Sequence, residues 1–159
     1  MGILRFGVLI FLILSVYLIS SPKELALEGV ALLERSRATW FPLFKILYFY
    51  VGLQRLSMAV NMSPEDLEIR LIRAEELFKF SNSEMARKIC EEDLTFIMLN
   101  AEKDREISKK LDLVYYMFAV LMMKDGRLEE ARLILEKLES EGSPYAEILR
   151  EDLERSDDR

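Results

Sequence analysis

The chain has 159 residues, about half of them hydrophobic, with 28 Asp and Glu against 22 Lys and Arg and a net charge of −6. This acidic balance argues against nucleic-acid binding, which needs clustered positive charge to displace counterions. Histidine is absent, which removes His-based triads and metal sites, and a single cysteine, Cys90, removes any intramolecular disulfide.

Residues 6–19 carry no charge, Arg5 precedes them and Ser20-Ser21 follow. A basic start, an apolar core and then small residues is the layout of an export signal. As a helix, such a fourteen-residue core reaches about 21 Å, short of the roughly 30 Å hydrocarbon layer. Pro22 follows the small residues directly, which hinders cleavage there. Residues 1–21 are therefore read as a signal peptide or a membrane anchor, in contact with the membrane if uncleaved, with a buried helix of the fold as the remaining alternative. Arg5 favours a cytoplasmic N-terminus. The rest of the chain is expected to be exported, either periplasmic (extracytoplasmic) or anchored to the cytoplasmic membrane facing outward.

Ser21-Pro22-Lys23-Glu24 combines a capping box with proline at the first helical position. It predicts a helix to about Arg37, with Leu25, Gly29, Leu32, Leu33 and Ser36 along one side. Pro42 opens the next helix, and residues 43–60 are strongly apolar, interrupted by Lys45, Gln54 and Arg55. The run from Trp40 to Tyr50 is the densest in aromatics. A helix apolar nearly all round is buried, seated against a partner or another copy, or set against a membrane; burial in a core is the reading adopted. Ser63-Pro64-Glu65-Asp66 repeats the capping logic for a helix through about Phe80, and Ser81-Asn82-Ser83-Glu84 starts another to about Asn100. Residues 101–110 are nearly all polar and either extend a neighbouring helix or form a loop. Helices over about 106–124, 127–140 and Pro144 to Glu154 complete the chain, with 157–159 as a frayed, disordered tail. No segment alternates with period two, so the fold class is all-α, and 22–156 is read as one helical domain.

Lys124-Asp125-Gly126-Arg127-Leu128-Glu129-Glu130-Ala131 joins two apolar-striped segments. Gly126 supplies the backbone freedom of a tight turn and Ala131 lets two helices approach closely. With Tyr115, Phe118, Ala119 and Met122 before the run and Leu135, Leu138 and Pro144 after it, residues 112–145 resemble one tetratricopeptide (TPR) repeat, a family with a period of about 34 residues. Residues 67–100 resemble a second repeat, with Ala74, Leu77, Ala86 and Cys90 at the packing positions, although Asp93 stands where a small apolar residue is expected. Upstream, Gly52, Leu56, Ala59 and Pro64 match only the second half of a repeat, because Pro42 falls inside the span of the first. An irregular first hairpin over 23–60 and about ten extra residues between the later two repeats follow. The resemblance implies a short stack of antiparallel helical hairpins closed by a C-terminal capping helix. Stacking matters physically because one hairpin alone leaves a large apolar face bare.

In TPR proteins the first helices of successive hairpins line a concave groove. The resemblance places Leu71, Glu75 and Phe78 there from one unit, and Tyr116, Val120 and Met123 from the next. Such a lining is apolar and adaptable. Glu75 and Val120 stand where some members carry a Lys and Asn clamp for a terminal carboxylate, so that activity is not implied. The competing reading for these six residues is core packing, since a short stack can fold its groove against a terminal helix. There is no nucleophile–base pair and no Gly-rich phosphate loop. Glu91-Glu92-Asp93 and Glu129-Glu130 lack the loop geometry of calcium sites and read as solvated surface. No enzymatic activity, metal or cofactor is expected. The function expected is that of an exported or membrane-tethered adaptor or scaffold that binds a protein partner, with self-association also open. The alternative is a structural, membrane-associated protein with lipid contacts from 1–21 and 43–60 and a soluble C-terminal helical half.

Overall fold

The structure, a computed structural model, describes residues 21–157. The expectations for residues 1–20 and for the last two residues of the tail lie outside the described residues. The described residues are all-α, with no strand among them. The stretch read above as one helical domain falls into two compact units, dividing between Pro64 and Glu65.

The first unit contains a hairpin of α1 (Pro22–Ala38) and α2 (Pro42–Met62). The capping box forms as predicted: Glu24 N–H donates to Ser21 Oγ at 3.2 Å and Ser21 N–H to Glu24 Oε2 at 2.7 Å. α1 buries Leu25, Ala26, Gly29, Leu33 and Ser36, and α2 buries Gly52, Leu53, Leu56, Ala59 and Val60. The helices touch backbone to backbone at two glycines. A Cβ at Gly29 would lie 2.7 Å from Leu56 Cγ and 2.9 Å from the Gly52 carbonyl oxygen; one at Gly52 would lie 2.9 Å from the Gly29 carbonyl oxygen. Near the turn, the Ser36 hydroxyl donates to the Lys45 carbonyl at 2.8 Å.

The aromatic run does not form a core. Trp40 is 88% exposed, and Phe41, Leu43, Phe44, Ile46, Leu47 and Tyr50 are exposed with it. The reason is geometric. One partner helix covers one stripe of its neighbour, and the small residues that permit close approach begin at Gly52, in the second half of α2. The first half is left bare on most sides.

The second unit runs through α3 (Leu67–Phe78), α4 (Glu84–Asn100), a 3-10 turn (Ala101–Lys103), α5 (Arg105–Ser108), α6 (Leu111–Lys124), α7 (Leu128–Ser140) and α8 (Tyr145–Asp157). Two predicted starts shift. Ser63 closes α2, its N–H bonded to the Ala59 and Val60 carbonyls, so Asp66 caps α3 instead, accepting from Ile69 N–H at 3.1 Å. Likewise Ser81 lies in the turn, where Phe80, Ser81 and Ser83 bond three residues back, and α4 starts after Ser83. The polar stretch 101–110 becomes the 3-10 turn and α5, anchored by buried Ala101 and Ile107 and capped by Asp104. α6 accordingly starts at Leu111 rather than Glu106.

The turns after α6 and α7 share one device. Gly126 has φ +77° and Gly142 φ +68°. Arg127 N–H reaches the Met122 carbonyl at 2.9 Å and Gly126 N–H reaches Met123 at 3.1 Å; Ser143 and Gly142 repeat this onto Leu138 and Glu139. Both are Schellman closures, which need a left-handed residue that glycine adopts without strain. α8 packs on both α6 and α7. Its Ala146, Leu149 and Leu153 join Ala119, Met122, Ala131 and Leu138 in one buried cluster, and it extends past the predicted end at Glu154 to Asp157. Ala74, Ala86, Ala119 and Ala131 are fully buried. Pro64, matched above to the repeat pattern and so expected to pack, is exposed in the turn before α3.

Candidate interaction surface

α3, α6 and α8 each carry one aromatic ring of a continuous row. Phe78 lies 6.5 Å from Tyr116 between ring centroids, and Tyr116 stacks on Tyr145 at 5.3 Å with an interplanar angle of 22°. Tilted and stacked ring pairs of this kind add stabilisation beyond the area they bury. The Tyr116 hydroxyl reaches Asp152 Oδ2 at 3.4 Å. Burial, and then the Asp152 carboxylate, raise the Tyr116 phenol above its ordinary pKa, so it stays neutral and able to donate.

The row ends beside a cleft of about 410 Å³ between α6 and α8, lined by Val120, Met123, Lys124, Asp152, Arg155 and Ser156. One wall is apolar and flexible, the other polar. Arg155 is held by Asp152 at 3.3 Å and Glu151 at 2.9 Å, so the polar wall presents a partly neutralised charge pair. A larger, more open depression runs along α4, where Phe96 and Leu99 lie among Lys88, Glu91, Glu92 and Thr95.

Of the six predicted groove residues, the structure brings Phe78, Tyr116, Val120 and Met123 to this side, all half-buried. Leu71 is 2% exposed and belongs to the packed interior rather than to an open lining. Glu75 is half-buried and contributes to neither the ring row nor the cleft. α8 covers part of the α6 face, with Tyr145 against Tyr116, and the cleft lies beside this contact.

The reading of Asp93 as solvated is corrected. Its side chain is wholly buried between α3 and α4. Oδ2 accepts from Arg73 Nε at 2.6 Å, while Oδ1 accepts from Arg73 Nη2 at 2.7 Å and Arg70 Nη1 at 2.9 Å. The Arg70 guanidinium also lies 3.9 Å from the centre of the Phe96 ring. A carboxylate that breaks the expected small-apolar pattern is thus a bidentate ion pair, and two arginines the sequence reading passed over complete it. A signal was present: Arg70 and Arg73 lie three apart on an otherwise apolar helix side, opposite a lone acid among Ala86, Cys90 and Ile97.

Cys90 donates to the Ala74 carbonyl at 3.3 Å, and burial, reinforced by Asp93, pushes its thiol up to about 12. A thiol in that state is a packing group, not a nucleophile. Elsewhere Arg127 bridges Glu91 at 2.6 Å and Glu130 at 2.7 Å, and Arg87 meets Asp125 at 2.8 Å, pinning the α6–α7 turn to α4. No group of three or more His, Cys, Asp or Glu side chains suited to a metal occurs among the described residues.

Comparison of the chain with protein families, with curated proteins and with solved structures finds no match.

Proposed function

We propose that the protein is a TPR-like adaptor whose second unit presents the Phe78–Tyr116–Tyr145 row and the adjoining cleft to a protein partner. The observation that carries this reading is the alignment of one ring from each of α3, α6 and α8, leading into an apolar-walled cleft of about 410 Å³. Rigid aromatic anchors beside an adaptable methionine are the residue types that concentrate binding energy at protein interfaces. The seat of α8 on both helices of the α6–α7 hairpin supports the repeat reading, since the first helix of a following repeat would sit there. In this reading residues 1–21 deliver the chain to, or hold it at, the membrane.

The test is photo-crosslinking from position 120 of the full chain in isolated membranes, with adducts identified by mass spectrometry. Met123→Glu, alone and with Tyr116→Ala, is expected to lower adduct recovery about tenfold, the ~1.4 kcal/mol scale of one modest interface contact. Circular dichroism of each variant should match the parent. Recovery unchanged by Met123→Glu rejects the cleft as the binding site.

A further inference from the structure

We infer that the turn of the α1–α2 hairpin docks into the headgroup region of an anionic bilayer, lying in the interface and not spanning it. This surface is distinct from the cleft and does not depend on it. The turn and the first half of α2 are bare: Trp40 in the turn and Leu43, Ile46 and Leu47 in the helix are all more than half exposed, and α2 is long and apolar enough to reach across a membrane. Charge supplies the partner. Arg35 and Arg37 occupy the last turn of α1, and Lys45 the first turns of α2. From Arg35 to Pro64 there is no acidic residue, against four basic ones, in a chain whose net charge is −6. The nearest carboxylates in sequence are Glu34 and Glu65. Basic side chains flanking an aromatic, aliphatic tip are the chemistry of a surface that meets phosphate headgroups and buries its tip beneath them. Tryptophan in particular is enriched at that depth.

Interfacial docking, not spanning, follows from how α2 is held. Its second half is packed on α1 through Gly29 and Gly52, and Arg55 pairs with Glu28 at 3.3 Å. Pulling α2 through a bilayer would carry that ion pair and the charged outer side of α1 into hydrocarbon, at a prohibitive cost for each uncompensated charge. Ser36, whose hydroxyl holds the Lys45 carbonyl, keeps the two ends of the turn together. The tip is therefore a preformed wedge, with few degrees of freedom left to lose on insertion.

Trp40 is the only tryptophan in the chain and sits at the tip, so it reports on the docked state. The full chain is reconstituted into vesicles of phosphatidylcholine alone, or mixed with phosphatidylglycerol, and Trp40 quenching is measured with acrylamide and with lipids brominated near either end of the acyl chain. Expected in the mixed vesicles are a blue shift, protection from acrylamide and quenching by the shallow bromines. Phosphatidylcholine alone should give a weaker effect. Arg35→Gln, Arg37→Gln and Lys45→Gln together should weaken engagement by up to about a hundredfold, at ~1 kcal/mol per charge near the surface. Phe44→Gln with Leu47→Gln should abolish the shallow quenching while keeping the charge. All these side chains are exposed, and unchanged circular dichroism verifies the fold of each variant. Trp40 left open to acrylamide in the mixed vesicles overturns the inference. So does quenching by the deep bromines, which would mean a spanning helix. So do equal quenching in both lipids and protection that rises with protein concentration without lipid, which would mean self-association.

Discussion

At the scale of single residues, Asp93 shows why a mismatch to a sequence pattern can be informative. A lone carboxylate inside a helix pair would be expelled or neutralised, because its desolvation exceeds anything packing returns. Arg73 meets it through both oxygens and Arg70 adds a third bond. Removing either side leaves the opposite charge buried, and for such a pair the loss is about 3–5 kcal/mol. Asp93→Ala should therefore lower the stability of the second unit by that amount in urea unfolding followed by far-UV circular dichroism, and Arg73→Ala should do nearly the same. Adding Arg73→Met and Arg70→Met to Asp93→Met should recover much of it, since the apolar set leaves no charge stranded. A loss below about 1 kcal/mol for Asp93→Ala would mean the pair is hydrated and structurally idle. Neither outcome involves Cys90, whose raised thiol keeps it unreactive beside this pair.

At the scale of elements, what was legible depended on which force placed each boundary. The Ser21 capping box and the Gly126 turn are local devices, complete within four or five residues, and both form as the spacing predicts. The equivalent closure at Gly142 carried the same signal, a glycine after the last periodic leucine, and went unread. Ser63 and Ser81 misled because a serine can serve the helix it ends as well as the one it starts; here Ser63 N–H closes α2 and Ser81 N–H donates to the Phe78 carbonyl at the end of α3 at 3.1 Å. Which side of an all-apolar helix is covered depends on the partner, so no periodicity could locate the bare half of α2. The close approach of α1 and α2 was hidden for the same reason: Gly29 and Gly52 were each visible, their juxtaposition was not. That juxtaposition makes a prediction at this scale. Alanine is favoured over glycine inside a helix by about 1 kcal/mol, yet at Gly29 or Gly52 its Cβ would press on backbone within 2.9 Å. Gly29→Ala and Gly52→Ala should each destabilise the hairpin by about 1–3 kcal/mol, the cost of overpacking. Thermal melts of the two variants check the sign, and a rise in melting temperature would show that the helices part freely.

At the scale of the whole molecule, the chain divides in charge as well as in contacts. Residues 1–64 carry six basic and three acidic side chains, a net +3, while 65–159 carry 16 basic and 25 acidic, a net −9. An anionic surface attracts the first part and repels the second, and the change of sign falls at the division between Pro64 and Glu65. The second part has what independent folding requires: 95 residues, a continuous buried cluster through α6, α7 and α8, and an ion pair locking α3 to α4. Chains of that length can bury enough surface to be stable alone, whereas a two-helix hairpin is near or below the usual limit. Residues 65–159 expressed alone should be helical and monomeric, melt in one cooperative transition, and stay in solution when anionic vesicles are sedimented. The full chain should sediment with those vesicles. A broad, non-cooperative melt of 65–159 would show that its core is incomplete without residues 1–64, and sedimentation of 65–159 would show that membrane attraction does not follow the charge division. With both expectations met, membrane attraction follows the charge division, as the proposed docking of the hairpin requires.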